Sequence, residues 1–152
     1  MRIRDARPAD AEAIIDFNAR MAQETEAKVL DRAVLGAGVR RLLGDGTLGR
    51  YWLAVSDDDA PLGQLMVTYE WSDWRNGPLW WIQSVYVRED ARRHGVYRAL
   101  HGHCVAEARR AEAVGLRLYV EPNNARAIAT YGRLGMNKSY DVMELPLSRG
   151  AA

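Results

Sequence analysis

The stretch of sequence that decides the fold is VYVREDARRHGVYR, which spans residues 85–98. It starts in an apolar run, continues through a basic loop that contains Gly95, and then enters a helical pattern. Backbone N–H groups at the start of a helix lack partners, and the helix dipole attracts negative charge there. Because glycine lets a backbone approach an anion closely, this segment predicts a phosphate-binding site. A solvated, arginine-rich helix start is the alternative at this point.

The sequence around this stretch predicts a mixed α/β fold. Residues 62–71 and 79–87 are long β-type runs, and the polar loop between them contains Asn76, Gly77 and Pro78, a strong turn signal. These two runs therefore predict an antiparallel hairpin. Downstream, a strand–helix–strand pattern favours one parallel pair of strands.

The helical and strand patterns together give one ordered set of elements. Residues 23–30 are polar and acidic and are interpreted as a loop, and Gly115 and Gly135 are expected to end the helices that precede them. The predicted elements are a strand at Ile3, helices over 11–22 and from Asp31 to Gly44, strands over 51–55, 62–71 and 79–87, a helix over 96–114, a strand over 116–120, a helix between Asn124 and Gly135, and a strand over 138–147.

Composition narrows the function classes. The 152 residues include 48% hydrophobic and 27% charged residues, which is typical of one globular domain, here residues 1–152. A net charge of only +1 argues against a general nucleic-acid binder. Cys104, the single cysteine, fits a reducing compartment. Without a signal peptide or a long apolar run, we expect a cytoplasmic domain that does not enter membranes.

Two motifs carry a resemblance to a known family. Arg92-x-x-Gly95-x-Tyr97 resembles the Gln/Arg-x-x-Gly-x-Gly/Ala motif of the GCN5-related N-acetyltransferases (the GNAT family), whose loop binds the pyrophosphate of acetyl-coenzyme A. The departure is Tyr97, whose side chain must point away from the phosphates if the loop keeps its shape. The resemblance implies that the following residues bind the coenzyme: Val85, Tyr86, Val87, Arg92, Arg93, His94, Gly95, Val96, Tyr97, Arg98, Asn124, Ala127 and Tyr131.

The second motif lies downstream, where Asn124-x-x-Ala127-x-x-x-Tyr131-x-x-x-Gly135 is similar to the family's next segment. In relatives, the asparagine contacts the pantetheine arm, and the tyrosine protonates the leaving thiolate. The alternative is structural, with Asn124 capping a helix whose core face includes Ala127 and Tyr131. Both interpretations can hold together.

The resemblance implies a GNAT fold, with a central, twisted, mostly antiparallel sheet, one parallel β-α-β pair and about four flanking helices. It also implies an N-acetyltransferase that moves an acetyl group from acetyl-coenzyme A to a primary amine, by direct transfer in a ternary complex and without a metal. The alternatives are a coenzyme-binding sensor that has lost catalysis and an enzyme that uses a longer acyl group. A homodimer that shares strands is left open.

The resemblance leaves open which residue acts as the general base. Relatives often place a glutamate in the strand before the pyrophosphate loop, where this chain has Gln83 and Ser84. The candidates that remain are Glu70, Asp73 and a water relay through Gln83. Glu24 and Glu26 are further acidic groups, for which a solvated surface is the simpler interpretation.

The hairpin around residues 70–77 is similar to the corresponding hairpin of diamine and thialysine acetyltransferases, which carry an acidic pair where Gln83 and Ser84 stand here. Glu70 and Asp73 could receive a cationic amine. The expected substrate-binding residues are Trp71, Trp74, Gln83 and Ser84. Packing inside the protein or at an interface is the competing interpretation of each tryptophan.

Other residues do not form a metal or nucleophile site in this interpretation. His101 and His103 are two positions apart on a helix and face different sides, so they cannot chelate one metal ion. Cys104 is interpreted as a small core residue. The acidic run at residues 57–59 is interpreted as a turn.

Overall fold

A computed structural model of the chain describes residues 1–147. The tail of residues 148–152, for which the sequence predicts fraying, lies outside the described residues. Contacts divide the chain into two compact units, Met1–Tyr119, which contains the whole sheet, and Val120–Ala152, which contains the last helix.

The secondary structure follows the predicted order up to the last helix. The elements are β1 (Arg2–Asp5), a 3-10 turn (Pro8–Asp10), α1 (Ala11–Glu26), α2 (Arg32–Gly44), β2 (Arg50–Val55), β3 (Pro61–Ser72), β4 (Gly77–Val87), a 3-10 turn (Glu89–Ala91), α3 (Val96–Arg110), β5 (Gly115–Leu118) and α4 (Ala125–Arg133). The predicted mixed α/β class with four helices is confirmed for the described residues.

The sheet has the strand order β1-β2-β3-β4-β5, in which each strand pairs with its neighbour in sequence. The first three pairings are antiparallel, and β4 pairs with β5 in parallel. The predicted hairpin and the predicted parallel pair are both confirmed. Helix α3 is the crossover that a parallel connection requires.

A hydrophobic core covers each face of the sheet. On one face, α3 contributes Leu100 and Cys104, which pack with Trp52 and Trp80 from the strands. On the other face, α1 and α2 pack against alternate side chains of β2, with Ile14 and Val39 among the buried residues. Because strand side chains alternate between faces, β2 serves both cores and is almost completely buried.

Helix α2 begins as predicted, because the Asp31 carboxylate accepts hydrogen bonds from the N–H groups of Ala33 and Val34. Helix α1, however, is longer than predicted. Residues 23–26 were expected to be a loop, but they form the last turn of α1, which ends where Ala27 adopts a left-handed conformation. Polar residues tolerate an exposed helical turn well. The extra turn places Glu24 on the helix.

Helix α3 ends earlier than predicted. It stops at Arg110, and Glu112, with φ 54°, makes the left-handed turn that we expected at Gly115. Gly115 instead opens β5, where an added Cβ would lie 2.9 Å from a methyl group of Leu79. The glycine therefore serves close packing between β5 and β4. The expected role of Gly135 is confirmed, since it follows α4 with φ 86°.

The predicted strand over residues 138–147 is wrong for the structure described here, because these residues lie outside every helix and strand. The alternating apolar pattern is present, but a strand also needs a neighbour for its backbone N–H and C=O groups. The side chains of this segment are exposed, with Met143 98% accessible. None of the helices in residues 1–147 is long and apolar enough to cross a membrane.

Buried His101 makes the stability of the fold depend on pH. Its ring is 6% exposed, its Nε2 has no hydrogen-bond partner among the described residues, and burial lowers its pKa below the ordinary value of 6.5. The native state therefore binds fewer protons than the unfolded state below that pH. The contribution of neutral His101 to the free energy of unfolding is therefore complete above about pH 6.5. It is lost as the pH falls through the pKa of His101 in the folded state.

We expect His101→Leu to flatten this dependence between pH 6.5 and 5. The difference in slope should be at most about 1.4 kcal/mol per pH unit, since one proton is involved. Urea unfolding at several pH values measures it. An unfolding free energy that falls with the same slope in the variant and the wild type would contradict the assignment.

Candidate functional site

Strand β4 contains a bulge at Gln83. Ile82 pairs with Val67 of β3, and Ser84 pairs with the preceding residue Met66, so Gln83 has no partner in that strand. An extra residue of this kind bends a strand and increases its twist. On the other side of β4, pairing with β5 ends at Ile82 and Leu118. The two parallel strands therefore part where the bulge lies, and we call the open edge of β4 beyond residue 82 the β4 gap.

The backbone of Val85 and Val87 faces the β4 gap. The N–H of Arg88 donates to Leu62 O of β3 at 2.9 Å, and backbone groups alternate in direction along an antiparallel strand. Those of Val85 and Val87 consequently point away from β3. Within the protein, Val87 O accepts a hydrogen bond from Arg92 Nε at 3.0 Å. The gap thus presents main-chain donors and acceptors that an extended ligand could pair with.

The loop between β4 and α3 has the geometry of an anion site. Arg93 and Gly95 both adopt left-handed conformations, with φ 68° and 79°, and α3 begins directly afterwards at Val96. Left-handed residues in a tight turn bring successive N–H groups to one side, as in anion-binding nests. Residues 92–95 are exposed, so these groups are accessible. The Tyr97 ring lies near the His101 ring, within α3.

The four arginines of the loop and of the first turn of α3 differ in their surroundings. Arg88 is paired with the Asp90 carboxylate at 2.5 Å, which raises the pKa of Arg88. Arg92 reaches back toward α1, whereas Arg93 and Arg98 are exposed at the start of α3. Two of these arginines, Arg88 and Arg92, are therefore already engaged in ion pairs.

A cluster at the mouth of the β4 gap connects α1 to this loop. Glu24 accepts a hydrogen bond from Tyr86 Oη at 3.0 Å and pairs with Arg92 Nη2 at 2.5 Å. The Arg92 guanidinium also lies 5.6 Å from the centre of the Tyr86 ring. Desolvation, together with the Glu24 carboxylate, raises the pKa of Tyr86. We call Glu24, Tyr86 and Arg92 the Glu24 cluster.

Glu24 was expected to lie in a solvated loop, because the sequence predicted the end of α1 at residue 22, one turn before its end in the structure. Phe17 and Glu24 are seven residues apart, which places them on one face of a continuous helix. Phe17 indeed packs against the Tyr86 ring, with centroids 5.2 Å apart. The apolar stripe of α1, continued through its polar last turn, would have indicated this position.

A buried polar network lies beneath the bulge, on the α1 side of the sheet. Ser84 Oγ donates to Asn18 Oδ1 at 2.8 Å, and Gln64 Nε2 donates to Asn18 Oδ1 and to Ser84 Oγ at 3.1 Å each. Asn18 Nδ2 donates to Tyr51 Oη, also at 3.1 Å. Ser84, which we expected to bind substrate, is thus 7% exposed and directed toward α1.

The polar side chains on the exposed part of the hairpin form a separate group. Glu70 accepts a hydrogen bond from Trp81 Nε1 at 2.5 Å and pairs with Arg117 at 3.4 Å. Trp81 stacks on Tyr119, with centroids 4.6 Å apart. Beside this group, Gln83 is exposed and donates to Thr68 Oγ1 at 2.9 Å.

The other hairpin candidates lie nearer the tip. Asp73 accepts the N–H of Trp74 within the turn. Trp71 and Trp74 are 65% and 94% exposed, so packing among residues 1–147 does not account for either tryptophan. Trp80, by contrast, is buried against Trp52.

The second sequence motif lies in the C-terminal unit. The Asn124 side chain caps α4 by accepting the Ala127 N–H at 3.0 Å. Ala127, Ile128 and Tyr131 are partly exposed and share one face of α4. The cap that the structural interpretation requires is therefore present, and Tyr131 keeps some accessible surface.

Three other kinds of site were considered: a metal site, a nucleophilic cysteine and a surface depression. No group of acidic, histidine and cysteine side chains that could hold a metal ion occurs in residues 1–147. Cys104 is completely buried, and burial raises its pKa to about 12, which makes it a poor nucleophile. A surface depression of about 530 Å³ is lined by residues including Arg50, Tyr69 and Glu107. Its charges already pair with each other, and it lies away from the β4 gap.

Comparison with family models matches residues 16–136 to the acetyltransferase (GNAT) family. The match includes α1 from residue 16 onward, the bulge, the anion loop and both sequence motifs. A comparison with curated proteins gave no significant match.

Solved structures with the same fold cover nearly the whole chain. The crystal structure of "a possible acetyltransferase" from Clostridium difficile 630 is 43% identical, with a TM-score of 0.91, and the match covers 97% of this chain and 98% of that one. A structure described as "a probable acetyltransferase" is 23% identical, with a TM-score of 0.86 and coverage of 98% and 99%. An integron cassette protein from the Cole Harbour Salt Marsh metagenome is 20% identical, with a TM-score of 0.83 and coverage of 97% and 91%.

The Glu24 cluster generates a prediction about coenzyme A binding. Glu24 pairs with Arg92, the motif arginine, and so competes with any anion at the loop for this guanidinium. We expect Glu24→Gln to tighten coenzyme A binding about threefold at low salt, since a partly exposed ion pair contributes up to about 1 kcal/mol. The amide can still accept the Tyr86 hydrogen bond. Isothermal titration calorimetry measures the change in Kd.

Glu26→Gln is the matched control, because Glu26 lies in the same last turn of α1, is exposed, and is not part of the Glu24 cluster. It removes the same charge without releasing Arg92. Equal effects of the two variants would mean that net charge alone is responsible. Weaker binding by Glu24→Gln would mean that the ion pair assists the coenzyme.

Proposed function

Because this chain belongs to the GNAT family of acetyltransferases, we propose that it transfers the acetyl group of acetyl-coenzyme A to a primary amine of a small molecule or peptide. The transfer is direct, within a ternary complex of protein, acetyl-coenzyme A and amine. No covalent intermediate forms on the protein, a view that the inert, buried Cys104 supports.

The observation that carries this proposal is the β4 gap, which leads straight into the anion loop. An extended pantetheine arm can pair with the backbone of Val85 and Val87 as an added strand would. Its pyrophosphate then reaches the N–H groups of residues 93–97 and the start of α3. Arg92, Arg93 and Arg98 add charge-assisted contacts, and His94 is exposed in the same loop. The residues present therefore fit the coenzyme.

The backbone of β4 at the bulge also takes part in the transfer reaction. As the amine nitrogen attacks the thioester carbonyl carbon, negative charge develops on the carbonyl oxygen. A well-aimed N–H at the bulge stabilises that charge by about 3 kcal/mol. The carbon–sulfur bond then breaks, and the departing thiolate takes a proton. We assign this proton to the Tyr131 hydroxyl, by its place in the family motif, and on the same ground we assign Asn124 and Ala127 to coenzyme binding.

The amine must lose a proton before or during attack. Glu70 and Asp73 are the carboxylates proposed for this role, and a water held by Gln83 can relay the proton. Glu70 is better placed than Asp73, whose carboxylate is engaged in its own turn at the hairpin tip. Glu70 pairs with Leu79, which is four residues before Gln83, so it lies roughly 13 Å from the bulge along the sheet. A relay from Gln83 to Glu70 would need a chain of several waters over this distance.

The acceptor binds, in this proposal, along the exposed hairpin. Trp71 and Trp74 offer apolar walls that nothing in residues 1–147 covers to any large extent, and an aromatic face also attracts a cationic amine. Glu70 supplies negative charge, although Arg117 partly neutralises it. Neither Gln83 nor Ser84 supplies the acidic pair of the diamine enzymes.

The remaining expectations belong to the same proposal. These are one catalytic domain over residues 1–152 and a cytoplasmic location, while the homodimer is left open. The free, buried thiol of Cys104 supports a reducing compartment. A net charge of +1 supports small acceptors rather than nucleic acid.

A coenzyme-binding sensor is the second candidate, because the strand that often carries the catalytic glutamate in relatives has Gln83 here. A screen of amines with detection of the free thiol of coenzyme A distinguishes the two functions. The panel should include diamines, amino acids, peptides and aromatic amines, with acetyl- and longer acyl-thioesters. Thiol release with one amine class supports the enzyme. Tight binding of acetyl-coenzyme A without turnover on any amine would establish the sensor.

Tyr131→Phe tests the general acid. We expect turnover to fall about 10²-fold while the affinity for acetyl-coenzyme A stays nearly unchanged, because only the proton donor is removed. Steady-state kinetics and calorimetry measure the two quantities. Tyr140→Phe, an exposed tyrosine in the same unit, is the control. An unchanged rate would remove Tyr131 from the mechanism.

A further inference from the structure

The buried network of Asn18, Tyr51, Gln64 and Ser84 connects four elements at the bulge. Asn18 comes from α1, Tyr51 from β2, Gln64 from β3 and Ser84 from β4. All four side chains are less than a tenth exposed. Asn18 lies at the centre, accepting through Oδ1 from Ser84 and Gln64 and donating through Nδ2 to Tyr51. The network therefore joins α1 to three adjacent strands.

Stability alone does not account for this network. Apolar side chains of the same shape could fill the site at little or no cost, whereas buried polar groups must be desolvated. Here one of them, Gln64 Oε1, has no hydrogen-bond partner among the described residues although it is completely buried. Such a network rigidifies the backbone that carries it.

The network lies directly beside the bulge in β4. Ser84 is the residue directly after the bulge at Gln83, and Gln64 is paired with Tyr86 on the neighbouring strand. The hydrogen bond between Ser84 and Gln64 thus spans β4 and β3 at the point where their register shifts. Asn18 anchors both side chains to α1. These contacts tie the strand next to Gln83 to both β3 and α1.

We propose that Asn18, Gln64 and Ser84 form a positioning network that aims the backbone N–H groups at the bulge toward the thioester carbonyl. This inference rests on the proposed function. Ser84 itself does not touch the substrate; it acts through the adjoining backbone. An aiming error of about 1 Å is enough to weaken transition-state stabilisation strongly.

Ser84→Ala tests the proposal against Tyr51→Phe. The first variant removes the contacts next to the bulge. The second removes only the bond at the far end of the network and leaves the three bonds among Asn18, Gln64 and Ser84. Both lose one buried hydroxyl group, so both should lose some stability. Ser84→Thr keeps the hydroxyl and is the rescue variant.

The direct readout is the carbon-13 shift of the carbonyl in bound [1-13C]acetyl-coenzyme A, which reports hydrogen bonding to that oxygen and needs no acceptor. We expect Ser84→Ala to move this shift toward its value in free acetyl-coenzyme A, and Tyr51→Phe and Ser84→Thr to leave it near the wild-type value. With an acceptor amine, kcat should fall about tenfold in Ser84→Ala with KM for acetyl-coenzyme A nearly unchanged.

The outcomes separate this inference from the proposed function. If wild-type protein does not bind acetyl-coenzyme A, the proposed function fails and the inference fails with it. If it binds and the carbonyl shift is the same in Ser84→Ala as in wild type, only the positioning role is overturned. If Ser84→Ala and Tyr51→Phe change the shift and kcat equally, the network is purely structural.

Discussion

The β bulge at Gln83 is the constraint on which the rest of the site depends. One extra residue in β4 shifts the register against β3 and bends the strand at the position where β5 stops pairing. The sheet is thereby continuous at the hairpin end and open at the other. Without this opening, the backbone of Val85 and Val87 would be covered by a neighbouring strand, and the anion loop would follow a closed sheet edge.

The two sides of the opening are built differently. Toward α3, an apolar core packs tightly around Leu100 and Cys104 and gives the loop a rigid base. Toward α1, polar side chains reach the strand, with Ser84 buried and Glu24 at the surface. Apolar packing fixes where the strand lies, while directional hydrogen bonds determine which way its backbone faces. This combination of apolar packing and hydrogen bonds suits a site whose ligand binds to main-chain N–H and C=O groups.

Arg92 shows how one side chain can belong to two arrangements. In the structure it donates to Val87 O and pairs with Glu24, so it covers a main-chain acceptor of the β4 gap. The family motif assigns the same guanidinium to the pyrophosphate. In the proposed complex, a phosphate would replace the Glu24 carboxylate as the ion-pair partner of Arg92, and Val87 O would lose the hydrogen bond from Arg92 Nε.

Local patterns in the sequence determined the element order, the hairpin, the parallel pair and the anion loop, because periodicity, turn residues and glycine act over a few neighbouring residues. The family motifs added the candidate residues Asn124 and Tyr131. Local patterns did not show the last turn of α1, the early end of α3 or the unpaired segment 138–147, since those outcomes depend on caps and on strand partners. Only the tertiary structure decided the bulge at Gln83, the burial of Ser84 and the contact of Glu24 with Arg92. The physical reason is distance: Asn18 and Ser84, or Glu24 and Arg92, are more than sixty residues apart, and only the packing of α1 on the sheet brings them together.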